Sequence, residues 1–205
     1  MSFEAGRGGG RGGRRDKAPA PPAGPPDRAG LLRAAQRYLQ RYWPTVEQLR
    51  RVLRRRVPVG AGPVLRQSVH DDVEAVLAQL VTEGALDDAR AARGWAEQLD
   101  RKGTPRPVLR QKMRGKGLSG EHTEAALELV EAAAAERGVH DPELARVAAA
   151  AQRKRLGPFR LDAGARAANR ERDLARLARL GFPFGLVRQI IDAADEDEAL
   201  ALASR

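Results

Sequence analysis

Seven cationic side chains and no acid stand in the stretch RKGTPRPVLRQKMRGKGLS: Arg101, Lys102, Arg106, Arg110, Lys112, Arg114 and Lys116. The chemistry open to such a set is the holding of a polyanion, because guanidinium and ammonium groups pair with phosphate and release its condensed counterions. Arg106, Arg110 and Arg114 recur every four residues and form one stripe on a helix. Leu109 and Met113 lie about 100° away, on the side that must be buried. The stripe has counterparts in Arg50 and Arg54, and in Arg172, Arg176 and Arg179, the last set diluted by Glu171 and Asp173. A solvated face usually mixes signs, since like charges at i, i+4 repel by a few tenths of a kcal/mol. Stripes of one sign therefore point to a ridge facing a polyanion. The plainer reading is wet surface with a coding bias: 37 basic residues less five lysines leaves 32 arginines, as a high-GC gene would give.

Other chemistry is hard to assemble. His70, His122 and His140 each stand near an acid at a predicted helix entry, and no H-x-x-x-H or H-E-x-x-H spacing exists. Gly115-Lys116-Gly117 lacks the spacing and the hydroxyl of a phosphate loop. Gly8, Gly10 and Gly13 satisfy G-x-G-x-x-G with neither a strand before them nor a helix after. No Ser–His–acid set is placed by a motif. The absence of Cys excludes disulfides and thiolate metal sites and fits a reducing cytosol. No metal, no cofactor and no catalytic residue is expected.

The charge is 37 basic minus 27 acidic, +10, with a pI near 11.0, a balance that draws polyanions over long range. No apolar run is long enough to span a membrane, and the charged N-terminus lacks the apolar core of a secretory signal. A cytoplasmic protein is expected.

The elements that must position the cations read as helices throughout. Residues 1–28, Gly/Arg-rich and then Pro-rich, cannot bury enough apolar surface to offset chain entropy and are predicted disordered. Leu32, Ala35, Tyr38 and Leu39 form the first apolar face, ended by Pro44. Thr45 with Gln48 reads as a capping box, before a helix buried through Leu49, Val52 and Leu53. Residues 57–68 carry two Pro and two Gly and are predicted as a loop. A third helix follows on Val73, Val76, Leu77 and Leu80, closed by Gly84. Asp87 then opens a helix through Trp95 and Leu99, Thr104-Pro105 caps the next, and Ser119 starts one with Ala126, Leu127 and Val130 inside. The last round opens at Asp141-Pro142 with Leu144 and Val147, continues through Leu174, Leu177 and Leu180, and finishes on Val187, Ile190 and Ile191.

The stop glycines reveal a repeat. From Gly117, apolar or small residues fall at +1, +9 and +10 (Leu118, Ala126, Leu127); from Gly181 they fall at the same offsets (Phe182, Ile190, Ile191). The first round keeps the Val76-Leu77 pair behind an insertion. The expected fold is all-α: three tandem three-helix repeats over 29–85, 86–140 and 141–194, forming an elongated curved body. Residues 195–205 are left as an acidic C-terminal extension, with Glu196 to Glu198 a solvated charge run. Each repeat is too small to stand alone and must lean on its neighbour.

Four segments together resemble a known family. They are V-x-x-V-L-x-x-L-V-x-E-G-x-L-D-D (Val73 to Asp88), K-G-x-P-R-x-x-L-R-Q-K-x-R-x-K-G-L-S (Lys102 to Ser119), R-K-R-L-G-P-F-R (Arg153 to Arg160) and L-A-R-L-G-F (Leu177 to Phe182). In this order they resemble the bacterial RecX regulatory proteins, over about residues 31–194. The sequence departs from the family at Ala91, where an aromatic is usual, in the 57–68 insertion and in the Gly/Arg/Pro tail. The resemblance implies a non-enzymatic protein of three three-helix repeats that lodges in the groove of the RecA filament on single-stranded DNA and inhibits recombinase and coprotease activity.

On this reading the filament- or DNA-facing set is Arg50, Arg54, Arg101, Lys102, Arg106, Arg110, Lys112, Arg114, Lys116, Arg153, Lys154, Arg155, Arg160, Arg172, Arg176 and Arg179. RecA is the expected partner, single-stranded DNA a weak and salt-dependent one, and the protein a monomer. Two other readings stay open: a stand-alone basic nucleic-acid binder, and an adaptor for acidic proteins. Few aromatics are available to stack bases, which counts against a dedicated single-strand binder.

Overall fold

The computed structural model describes residues 26–204. The segment predicted disordered lies, up to residue 25, outside the described residues. Its last residue, Arg28, opens the first helix, which Asp27 caps through a 2.7 Å hydrogen bond accepted from the Gly30 N–H. Among the described residues there are ten α-helices, two short 3-10 turns and no strand. In chain order they are α1 (Arg28–Leu39), α2 (Val46–Arg54), α3 (Pro63–Thr82), α4 (Asp88–Arg101), α5 (Arg106–Gly115) and α6 (Gly120–Glu136). Then come α7 (Pro142–Lys154), α8 (Arg166–Ala178), α9 (Phe184–Ile191) and α10 (Glu196–Ala203).

Local chemistry sets most of the starts. The Thr45–Gln48 capping box forms at 3.1 and 3.0 Å. Asp87 accepts the N–H groups of Ala89 and Arg90, Ser119 that of His122, and Asp141 those of Glu143 and Leu144. Each such cap is worth about 0.5–2 kcal/mol. The apolar faces then gather into three clusters. Leu31, Leu49, Leu53, Val73, Leu77 and Leu80 join α1, α2 and α3. Ala92, Ala96, Leu109, Met113 and Leu127 join α4, α5 and α6. Leu144, Val147, Leu174, Leu177, Ile190 and Ala199 join α7 to α10.

Three boundaries depart from the sequence reading. The predicted 57–68 loop is shorter, because Pro63 is the first residue of α3 rather than a breaker. A proline has no N–H to lose at that position and its φ already suits the helix, so residues 63–68 extend α3 to 20 residues. The α5 start is also displaced: Pro105 is the N-cap residue, Arg106 opens the helix, and no side chain of its own caps it. Finally, the acidic extension is a helix. Asp195 accepts the Glu198 N–H at 2.8 Å, the acids Glu196 to Glu198 stand in the first turn where they offset the dipole, and Ala199 and Ala203 bury against the α7–α9 core.

The junctions between clusters repeat one contact. At the start of α2 the Val46 N–H donates to Asp88 of α4 at 2.8 Å, and the Thr45 hydroxyl to the Lys116 carbonyl at 2.5 Å. Gly117 lies so close to Glu47 there that a β-carbon would overlap the glutamate side chain. At the start of α5 the Arg106 N–H donates to Glu143 of α7 at 3.1 Å, and Gly181 lies against Val108 and Pro105. In both, the orphan amide of a helix start, which would otherwise need water or its own cap, is satisfied by a carboxylate at the start of a later helix.

Candidate polyanion-facing surface

The stripes expected to be of one sign acquire acids from the next helix. In α2, Arg50 pairs with Glu74 of α3 at 2.8 Å and with Glu47 at 2.7 Å, while Arg54 reaches the same Glu74 at 2.9 Å. In α5, Arg106 pairs with Glu131 of α6 at 2.6 Å and more loosely with Glu124 at 3.4 Å, and Arg110 grips Glu124 at 2.7 Å through both of its oxygens. The hydrogen bonds from Arg50 hold the Glu74 carboxyl below its usual range, and those from Arg110 do the same for Glu124. Half-exposed pairs of this kind contribute only about 0–1 kcal/mol each to stability. Their larger effect is to cancel charge that a polyanion would otherwise meet.

The rest of the predicted set divides by helix flank. At 100° per residue, Arg106, Arg110 and Arg114 occupy one side of α5 and Lys112 and Lys116 the other. The first flank meets α6, leaving Arg114 exposed beyond the last acid. The second flank meets α4, where the Lys116 ammonium lies 4.1 Å from the centre of the Trp95 ring. Arg101, Lys102, Lys112, Arg114 and Lys116 make no ion pair among the described residues, and neither do Arg153, Lys154 and Arg155 around the end of α7, where Arg155 takes a left-handed backbone. On α8, Arg172, Arg176 and Arg179 fall on one face, all exposed and without an ion-pair partner among the described residues.

Asp173 does not dilute that face. It points inward, 1% exposed, where it accepts two bonds from Arg160 at 2.7 Å and the Gly157 N–H at 2.9 Å. Arg160 is therefore a structural partner here. Burial raises the Asp173 pKa, but the bonds from Arg160 and Gly157 outweigh it and leave the carboxyl below its ordinary value. A depressed folded pKa contributes stability above the unfolded value of about 3.9, and that stability is lost as pH falls through the folded pKa. Asp173→Asn is expected to lower unfolding free energy by roughly 1.5–3 kcal/mol at pH 7. Urea titrations across pH should show the gap to the parent protein closing below about pH 4.

Sequence reasoning missed Arg146. Its side chain is 2% exposed and binds Asp100 at 2.7 Å, Glu143 at 2.9 Å and Glu131 at 3.1 Å, drawing α4, α6 and α7 together. Burial disfavours its charge, yet the three carboxylates more than compensate and raise its pKa. The signal for it was the run Ala148 to Ala151, since a helix so rich in small residues can be buried on more than one face.

These features define a class: a protein whose described residues are all-helical and whose surface carries, on α4, α5, α7 and α8, cations with no carboxylate partner among them. Among the described residues no three His, Asp or Glu side chains gather as metal ligands, and no helix is long and apolar enough to cross a membrane. The chain is 41% identical over 165 residues to the Regulatory protein RecX of Myxococcus xanthus (strain DK1622), an alignment covering 80% of this chain and 84% of that protein. It belongs to the RecX family. No family model and no solved structure matches the chain.

Proposed function

We propose that the chain is a non-enzymatic cytoplasmic regulator that binds RecA and its filament on single-stranded DNA and inhibits recombinase and coprotease activity. The observation that carries this reading is the 41% identity to a RecX regulatory protein along most of both chains. The body acts as three helical repeats, α1–α3, α4–α6 and α7–α9, with α10 closing the last. The three separate cores and the recurring contact at Val46 and Arg106 support that division. Such an array is elongated and curved, and as a monomer it presents one extended face to a filament.

The cations without a carboxylate partner among the described residues are the ones proposed to face RecA and DNA: Arg101, Lys102, Lys112, Arg114, Lys116, Arg153, Lys154, Arg155, Arg172, Arg176 and Arg179. Arg50, Arg54, Arg106, Arg110 and Arg160 hold the fold first and can add only what their carboxylates leave over. Replacing Arg172, Arg176 and Arg179 together by Glu is expected to abolish retention of the protein on RecA–single-stranded DNA filaments held by a non-hydrolysable ATP analogue. Helix propensity barely differs between Arg and Glu, so stability should change by about 1 kcal/mol or less. Retention at the parental level with the fold intact would place the interface elsewhere. Retention by bare DNA but not by RecA would favour a stand-alone nucleic-acid binder instead.

A further inference from the structure

Tyr38 packs against the first core, but Tyr42 and Trp43, just past the end of α1, are left open by it. Trp43 is 68% exposed and Tyr42 54%, the largest aromatic surfaces left open among the described residues apart from Phe184 at 58%. The Tyr38 and Tyr42 rings lie 4.7 Å apart, and the Arg90 guanidinium of α4 lies over the Trp43 indole at 4.6 Å from its centre. An indole left so far open forfeits the apolar burial that is its main contribution to folding.

Two cavities meet at this patch. One, of about 310 Å³, is lined by Tyr38, Tyr42 and Val52 together with Arg37, Arg41 and Arg56. A smaller one, of about 90 Å³, runs beneath Tyr42, Trp43 and Leu86 to Arg90. Tyr42 lines both, so they share a wall. None of these four arginines makes an ion pair among the described residues. The one acid in the lining, Asp87, is committed to the N–H groups of Ala89 and Arg90 at the start of α4.

We infer that Tyr42 and Trp43 form a stacking platform for the unpaired bases of a single-stranded nucleic acid, with Arg37, Arg41, Arg56 and Arg90 holding its phosphates. Each element has a reason. Aromatic rings accept any base by its π-face, which gives affinity without sequence preference, and arginine adds charge and a further stacking plane. A duplex keeps its bases inside the stack and cannot use the rings. An acidic protein surface would meet the arginines and leave the indole unmatched. The platform lies on α1 and the α1–α2 connection, beside the end of α5 where the Lys116 carbonyl accepts the Thr45 hydroxyl, and its argument does not rest on RecA.

The test uses the full chain and a short oligothymidylate without RecA, followed by tryptophan fluorescence and by anisotropy of a labelled strand. Binding is expected to quench the indole emission. Trp43→Ala should weaken the affinity roughly 5- to 150-fold, the range that removing one base–aromatic stack implies. Trp43→Phe should keep most of the affinity while losing the quench, and an abasic strand of the same length should bind no better to the parent than oligothymidylate binds to Trp43→Ala. Equal affinity of the parent and Trp43→Ala for oligothymidylate overturns the inference. So does equal affinity of the parent for the abasic and thymidylate strands, which would leave only electrostatic attraction. If Trp43→Ala binds the strand normally but is lost from RecA alone, the patch is a protein interface, and the inference again fails while the regulatory reading stands.

Discussion

Arg146→Met is expected to destabilise the protein by roughly 3–5 kcal/mol, the magnitude found when one partner of a buried ion pair is removed. For a chain of this size that is a fall in melting temperature on the order of 10 °C. Methionine fills the volume but leaves Asp100, Glu131 and Glu143 facing one another with their shared cation gone. Arg106 still holds Glu131 and the Arg106 N–H still holds Glu143, so Asp100 alone is left with no cation in an ion pair. The check is thermal and urea unfolding of the single variant beside one that also carries Asp100→Asn, Glu131→Gln and Glu143→Gln. The combined variant should recover much of the loss, because neutral amides do not repel and glutamine can still accept the Arg106 N–H. A single variant as stable as the parent would show that these carboxylates are solvated without Arg146.

Gly103→Ala should be comparably severe for a different reason. Gly103 has φ +57°, and a β-carbon there would overlap the backbone at Arg146 and Ala150 of α7. The left-handed backbone alone costs a non-glycine residue about 1–2 kcal/mol. Two backbone segments that cannot move independently add a steric cost, for a total of roughly 3 kcal/mol or more. Gly84→Ala is the matched control: its φ is +67°, but nothing lies within 4 Å of the added methyl. It should lose only the backbone share, near 1 kcal/mol. Equal losses at the two positions would mean that α7 does not press on the α4–α5 turn. Loss at Gly103 alone should also weaken the proposed filament binding, since the cations of α5 and α8 could no longer be held in fixed relation.

The helices were legible in the chain because the signals that start and stop them are local. Thr45 with Gln48, Asp87, Ser119 and Asp141 all cap within three residues of themselves, and the apolar positions at Leu49 and Leu53 or Leu109 and Met113 follow helical spacing regardless of what covers them. Pro63 misled for the same reason, since a proline reads alike whether it ends a loop or begins a helix. The run Glu196 to Glu198 misled because its meaning depends on Ala199 and Ala203 finding α7. The motifs from Val73 to Phe182 pointed to the family now shown by its Myxococcus relative.

What the sequence alone determined, then, was the set of helices, their buried faces and the kinship, all of which depend on residues near one another along the chain. Only the tertiary structure decided which arginines have internal carboxylate partners. Arg106 and Glu131 are 25 residues apart, and Arg146 and Asp100 46. No periodicity within one helix carries the charge of the helix beside it. A charge is balanced by whatever comes within a few ångströms in space, so the division of the stripes into arginines that hold the fold and arginines left for a partner arose only when the helices packed.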